Sequence, residues 1–547
     1  MGRTPTSAAD VLVGLVGPCT GFAQRDQTVL PNKDFLKALN SLKLLFWHSM
    51  HSSLLSLLLL AAAAQAQTIV QSFDGDKGPG LAACEAGHGH CDRPEMDVGV
   101  NGKQVVQVTW QHVRIYDYSG RLVQSTPIAD FVRKAGLDPT PPAHPRPQTP
   151  SKPMGPYEPH VLYNEFLQRW IITVTGLNDS TLVSTTSDAT GSWGGASVSC
   201  QENGPCLNFD PAIHIGYDKN GVYECGGHLG EDSPHTIPQV AYDCFALSNA
   251  EALAIAKRKP PAHINRIHKM PLDIIPAIDH NLSKAASAPA FFLSKTCDRS
   301  VMGGCQNTMS HPFEWVVNSF TWKGATGTWS EQLVKTDIGS KQNKWLYSKP
   351  CCGLLGSIPQ KGNDKIVLRV AESHRLTNVV QFGAHVQGAL TSGPCTGECG
   401  PQGTDRENVA FWVDLDCSKP GACVVSQTAK ISGPGLNPEF ATVGVDGAGN
   451  VGIVAVSSNA KSDLSVLLWT RLKSDPPNTF RGPTTVISGT QPFTCLNTRD
   501  MATIGNAAGV LTALDPLDHT KLWTTQQWGG DAERCVWTTR IIEYQIK

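Results

Sequence analysis

The sequence predicts an all-β protein made of repeated small sheets, and three observations carry that prediction. Short apolar or alternating runs recur between polar turns, as in 105–110 (VVQVTW), 169–176 (RWIITVTG) and 451–458 (VGIVAVSS). A turn of the form apolar, Asp, x, polar or Gly recurs at Asp117, Asp218, Asp446 and Asp515. Asp, Asn and Gly supply side-chain-to-backbone bonds and positive φ, so these are tight β-turns. Last, a polar residue and Pro stand just ahead of apolar strands at Glu158-Pro159, Asp210-Pro211 and Asn437-Pro438, with weaker copies at Ile275-Pro276 and Ile358-Pro359.

These prolines stand 52 to 83 residues apart, and Asp97 precedes and Asp500 follows the series at similar intervals. The spacing predicts a β-propeller of about seven blades, with six as the alternative. The best-defined unit is 160–193, where apolar runs end on Gly191 and Trp193; ATGSW at 189–193 and ATGTW at 325–329 are matching closures. A small sheet with two apolar faces cannot bury them alone. Trp170, Trp193, Trp315, Trp329, Trp412, Trp469, Trp523 and Trp537 are therefore expected between blades. The one good helical stretch is 248–259, capped by Ser248 and ended by Pro260. The Pro-rich span 134–157 reads as an extended surface connection.

The N-terminal part differs. Residues 54–64 form an apolar core followed by Ala64-Gln65-Ala66, a small-x-small cleavage pattern. That core is too short for a bilayer, which needs about 20 helical residues. Residues 50–66 are therefore expected to be a signal peptide, 1–49 an extension with no fold of its own, 68–95 an N-terminal segment and 96–547 the propeller. Cleavage after Ala66 removes Cys19 and leaves 16 cysteines. They fall into close pairs: Cys84/Cys91, Cys200/Cys206, Cys225/Cys244, Cys297/Cys305, Cys395/Cys399 and Cys417/Cys423, with Cys351, Cys352, Cys495 and Cys535 remaining. Such pairs suit disulfide staples in a secreted or periplasmic protein. The net charge of −2 offers no electrostatic footprint for nucleic acid, and no membrane span follows the signal.

The segment 501–546 resembles the closing blade of secreted bacterial β-propeller proteins distantly related to sialidase and BNR-repeat proteins. Asp515-Pro516, Trp523-Thr524 and Trp537-Thr538-Thr539 carry that resemblance, as do Arg169-Trp170 and 188–193. An Asp-box-like turn at Thr186–Trp193 keeps the Asp and the Trp but has its Gly one place late. The resemblance implies a fold and no particular activity. A sialidase-like reaction would need three arginines on a carboxylate, a Tyr-Glu nucleophile pair and an acid.

Glu158, Asp210 and Asp500 are the candidate catalytic carboxylates, and Arg499, Arg169 and Arg369 the candidate binding groups, because strand ends at a propeller axis form a concave mouth. At each, an acid can instead satisfy backbone amides at a strand start. Cys84–Cys91 encloses His88 and His90 but reads as a disulfide loop rather than a zinc site. Residues 74–78 begin like a calcium loop and fail at Pro79. No cofactor is expected, with a structural calcium ion left open. The expected function is extracellular binding or scaffolding, with a glycan or an extracellular protein as partner; the alternative is a sialidase-like glycoside hydrolase acting through channel carboxylates. Mass spectrometry of the exported protein is expected to find Gln67 at its N-terminus, and thiol titration without reductant to find few reactive cysteines.

Overall fold

The computed structural model describes residues 67–78, 94–139, 156–175, 180–198, 213–229, 240–270, 274–280, 289–295, 314–335, 355–361, 363–371, 376–392, 408–419, 421–433, 435–493, 502–505, 510–530 and 537–547. The fold is all-β and propeller-like. Among the described residues, five sheets have four strands each, and a nine-stranded sheet contains two further four-stranded antiparallel runs.

The 97–127 sheet orders Asp97–Val100, Gln104–Val108, His112–Asp117 and Leu122–Pro127 as a simple meander. The 157–197 sheet repeats it with Tyr157–Asn164, Arg169–Thr175, Ser180–Ser184 and Trp193–Ser197. The 214–270 run follows, with His214–Tyr217, Gly221–Leu229, Val240–Ser248 and Asn265–Met270. Next come the 275–335 sheet, the 376–431 run and the 438–487 sheet. Ile278–Asp279 lies parallel to both His214–Tyr217 and Leu376–Phe382, and so joins the two runs into the nine-stranded sheet.

The last sheet is closed by the beginning of the described chain. Ala513–Leu514, Lys521–Trp528 and Thr538–Ile546 take Gln67–Lys77 as their outer strand, with Gln67 opposite Ile546 and Phe73 opposite Ile541. The segment 68–95, expected ahead of the propeller, thus supplies a strand of it. Asp76 fastens that strand to the 97–127 sheet. Its carboxylate accepts from Arg114 Nη2 (2.7 Å) and Thr109 Oγ1 (2.6 Å) and lies 3.0 Å from His112 Nδ1. Gln107 Oε1 accepts from the Asp76 amide, and Gln107 Nε2 donates to Thr525 and Thr539. Burial pushes the Asp76 carboxyl up, but these partners outweigh it and hold it below its usual range.

Hydrophobic clusters sit between successive sheets. Val106 and Ile115 pack with Ile172 and Trp193; Ile171 with Ile215 and Val222; Tyr223 with Phe292 and Phe320. Trp315 then packs with Val379 and Phe411, Trp412 with Ile453 and Trp469, and Val466 with Trp537 and Ile542. Finally Trp523 and Ile541 pack against Val98 and Tyr116, returning to the first sheet. The tryptophans expected between sheets are there: Trp170, Trp193, Trp315, Trp412, Trp469, Trp523 and Trp537 are buried, and Trp329 is partly buried against Phe292 and Phe320.

The predicted turns hold through their carboxylates. Asp218 Oδ1 accepts from Asn220 and Gly221, Asp446 Oδ1 from Ala448 and Asn450, and Asp515 Oδ1 from Leu517 and Asp518. Asp188 likewise accepts from the Thr190 amide and from Gln104, so the Asp-box-like turn is structural. Ser248 caps helix α2 (Asn249–Ala256) by accepting from Glu251. Helix α1 (Ile128–Lys134) is additional to the expected one; Ile128, Phe131 and Val132 put one face into the core over barely two turns, too short for a periodic signal. Ile358-Pro359 also departs from expectation. It lies in a separate three-stranded sheet (Leu355–Gln360, Asn363–Ala371, Ala502–Gly505), and Leu376–Phe382 opens the neighbouring run instead.

Two expected disulfides are present, Cys225–Cys244 between directly paired strand positions and Cys417–Cys423 across a short loop. Cys84, Cys91, Cys200, Cys206, Cys297, Cys305, Cys351, Cys352, Cys395, Cys399, Cys495 and Cys535 lie outside the described residues, as do 1–66. Asp76→Ala strips Arg114 of its carboxylate and unfastens the closing strand. Urea titration is expected to show a loss of about 3 kcal/mol, the cost of breaking a buried pair from one side.

Candidate functional site

The first strands of successive sheets and runs neighbour one another, and polar side chains tie them together. Asp97 Oδ1 accepts from the Val98 and Leu511 amides; Oδ2 accepts from Val161 and lies 3.0 Å from His160 Nδ1. Asn378 both donates to and accepts from the Val443 backbone, and Thr442 donates to the Val510 carbonyl. Burial raises the Asp97 carboxyl, and its bonds to His160, Leu511 and Val98 offset this only in part.

Glu158 stands in one of these first strands, buried, with φ of 47°. It falls at a register shift between Tyr157 and His160. The same device recurs at Phe440, with φ of 52° at the shift between Glu439 and Thr442. Left-handed backbone at a non-glycine residue costs about 1–3 kcal/mol, and a bulge there re-aims the next side chains. Glu439 is itself buried and accepts from Asn408 Nδ2.

Arg169 sits at the other end of its strand pair. It begins Arg169–Thr175 and donates to the Gln168 carbonyl (2.8 Å) in its own hairpin turn. Roughly 20 Å of extended strand separates that turn from Glu158, so the structure does not bring the two together. Arg369 belongs to the separate three-stranded sheet. Asp210, Arg499 and Asp500 lie outside the described residues.

A Tyr-Glu pair does exist, away from these positions. Tyr118 Oη donates to Asp515 Oδ2 (2.5 Å) and Glu543 Oε1 (3.1 Å), and Lys521 Nζ lies 3.0 Å from Glu543. Burial and the two carboxylates push the Tyr118 hydroxyl up, the opposite of what activates a nucleophile. The cation beside it is a lysine, which lacks the planar fork that grips a carboxylate.

A small cavity lies among several of these first strands. Val98, Val100, Val161, Leu162, Ile278, Leu511, Ala513 and Leu514 line it with Tyr163 and Tyr217, leaving about 10 Å³ free, room for about one water molecule. Glu165, in the turn after Asn164, lies near both tyrosines; burial raises its carboxyl and His519 lowers it.

A second polar group lies between the 157–197 sheet and the 214–270 run. Glu224 is buried and accepts from Thr181 Oγ1 at 2.6 Å. Burial, offset only by that bond, pushes its carboxyl up to about 7. The His160 and His214 rings stand 5.9 Å apart nearby. Sequence reasoning passed over these groups although it had a signal for each. Histidine follows both acid-Pro pairs, at Glu158-Pro159-His160 and at 210–214, and Glu224 is the lone charge in an apolar strand.

No family model matches the sequence, and no curated protein matches it. Among solved structures, extracellular domains 1–2 of Drosophila Semaphorin 1b share 8% identity at a TM-score of 0.37, over 88% of this chain and 87% of that one. The α-L-arabinofuranosidase Arb93A of Fusarium graminearum shares 10% at 0.34, over 69% and 89%. The Synechocystis apocarotenoid oxygenase shares 10% at 0.32, over 77% and 83%. Similarities this low transfer no activity.

The raised Glu224 carboxyl makes folding take up a proton between its ordinary range and about 7. Its stabilising share is complete below pH about 4.5 and is lost as pH rises through about 7. Against Glu224→Gln, the wild type is expected to lose a few kcal/mol in denaturant titrations run from about pH 5 to about pH 8.

Proposed function

We propose that this protein is an exported seven-bladed β-propeller that binds an extracellular glycan, without cleaving it, at the mouth of its axis. Each four-stranded sheet or run is one blade, with the blade that pairs 67–77 to 538–546 closing the ring. The observation that supports binding is the axial lining. Eight aliphatic side chains and two tyrosines converge there, with Glu165 beside them. Aromatic rings and a nearby carboxyl suit a hydroxyl-bearing ligand. With so little free volume inside, the proposed ligand would sit on the mouth. No cofactor enters this reading.

Export is part of the proposal: residues 50–66 are a cleaved signal and 1–49 an extension before it. The two disulfides suit an oxidising compartment. Among the described residues, no helix is long and apolar enough to cross a membrane.

A sialidase-like glycoside hydrolase is the second reading; Tyr118 with Glu543 is the Tyr-Glu pair it would have to use, with the Tyr118 hydroxyl pushed up. Glycan-array binding and fluorogenic glycoside turnover separate the two. The expected outcome is binding without turnover, weakened at least tenfold by Tyr163→Ala in a variant that keeps its circular dichroism. Turnover lost in Glu543→Gln would replace this reading with the hydrolase.

A further inference from the structure

The joint between the 157–197 sheet and the 214–270 run is apolar in one half and polar in the other. Leu162, Ile171, Val183, Ile215, Val222 and Leu247 fill the apolar half. The polar half is a row in direct register. His160 stands opposite Thr173, and Thr173 opposite Thr181. Side chains so paired on one face are near neighbours, with Cβ atoms roughly 4.5–5.5 Å apart. Across the joint, Thr181 donates to Glu224 Oε1. At the far end, His160 Nδ1 is held by Asp97.

Three atoms of this row have no hydrogen-bond partner among the described residues: His160 Nε2, Thr173 Oγ1 and Glu224 Oε2. Their residues are buried. Buried polar atoms are almost always paired, and those that protein groups leave unpaired are the ones ordered water serves. A single unpaired atom would be an isolated defect. Three in one row, with the hydrogen-bonded Thr181 among them, point to one cause.

We infer that ordered water occupies this row and bridges His160 Nε2, Thr173 Oγ1 and Glu224 Oε2, making one hydrogen-bonded chain from Asp97 near the axis to Glu224 inside the joint. Its ligand class is water. The other titratable groups facing the row are His214, beside His160, and Asp243, paired to Arg266 at 2.5 Å. The raised Glu224 carboxyl agrees with a proton resident at that end below neutrality.

The full exported protein tests this in two ways. A high-resolution crystal structure is expected to show water peaks within about 3 Å of all three atoms; continuous side-chain packing with no water between them would overturn the inference. Infrared difference spectra of wild type against Glu224→Gln, below neutrality, isolate the C=O stretch of the protonated carboxyl. Thr173→Val replaces a hydroxyl by a methyl of the same shape, and is expected to move that band to higher frequency while Thr173→Ser leaves it in place. A band indifferent to Thr173→Val would also overturn the inference. Should Thr173→Val not fold, the water peaks in the wild type decide alone.

Discussion

Each described four-stranded sheet or run puts apolar side chains into two clusters, one on either face, and that constraint organises the rest. The 438–487 sheet shows it plainly. Ile453 and Trp469 turn toward the preceding run, while Val454 and Val466 turn toward the closing sheet. A lone sheet of this kind would leave one face in water, at about 25 cal/mol for each Å² of apolar surface. Faces can be buried all round only if the first sheet also serves as the neighbour of the last. The contact of Trp523 and Ile541 with Val98 and Tyr116 meets that condition.

Apolar joints position the sheets, but they are non-directional and do not set register. Polar side chains at the strand ends do. Asp97 reaches its own strand, the next sheet and the Leu511 amide, and Asn378 grips both backbone groups of Val443. These acids and amides spend their hydrogen-bonding capacity on neighbouring strands. That is a structural use for positions where a catalytic carboxylate would also stand. The joint that holds Glu224 is different: it buries a carboxyl that accepts from the Thr181 hydroxyl of the facing sheet rather than from a backbone amide.

Much of this was legible in the sequence, because the signals are local. Asp218, Asp446 and Asp515 announce their turns through side chains that bond amides two or three residues on, and Ser248 announces its helix in the same way. The tryptophans are legible because few places other than a sheet-to-sheet joint hold so large a ring. What stayed hidden depends on residues far apart in the chain. Nothing near Gln67–Lys77 says that its partner is Thr538–Ile546, since pairing at that separation leaves no periodic trace. Glu224 meets Thr181 only once two sheets face each other. Pro359 matched the local pattern and still fell elsewhere, because a proline restricts its own strand and does not choose that strand's neighbours.

Pairing 67–77 with 538–546 also sets an order of events. Gln67–Lys77 supplies the outer strand for a sheet otherwise built from 513–546, so that sheet cannot be completed until both segments have emerged on the same side of any barrier they cross. Until then the rows around Trp523 and Val98 stay open to solvent and to other chains. Sealing that joint is a long-range step, whatever the order in which the other sheets form.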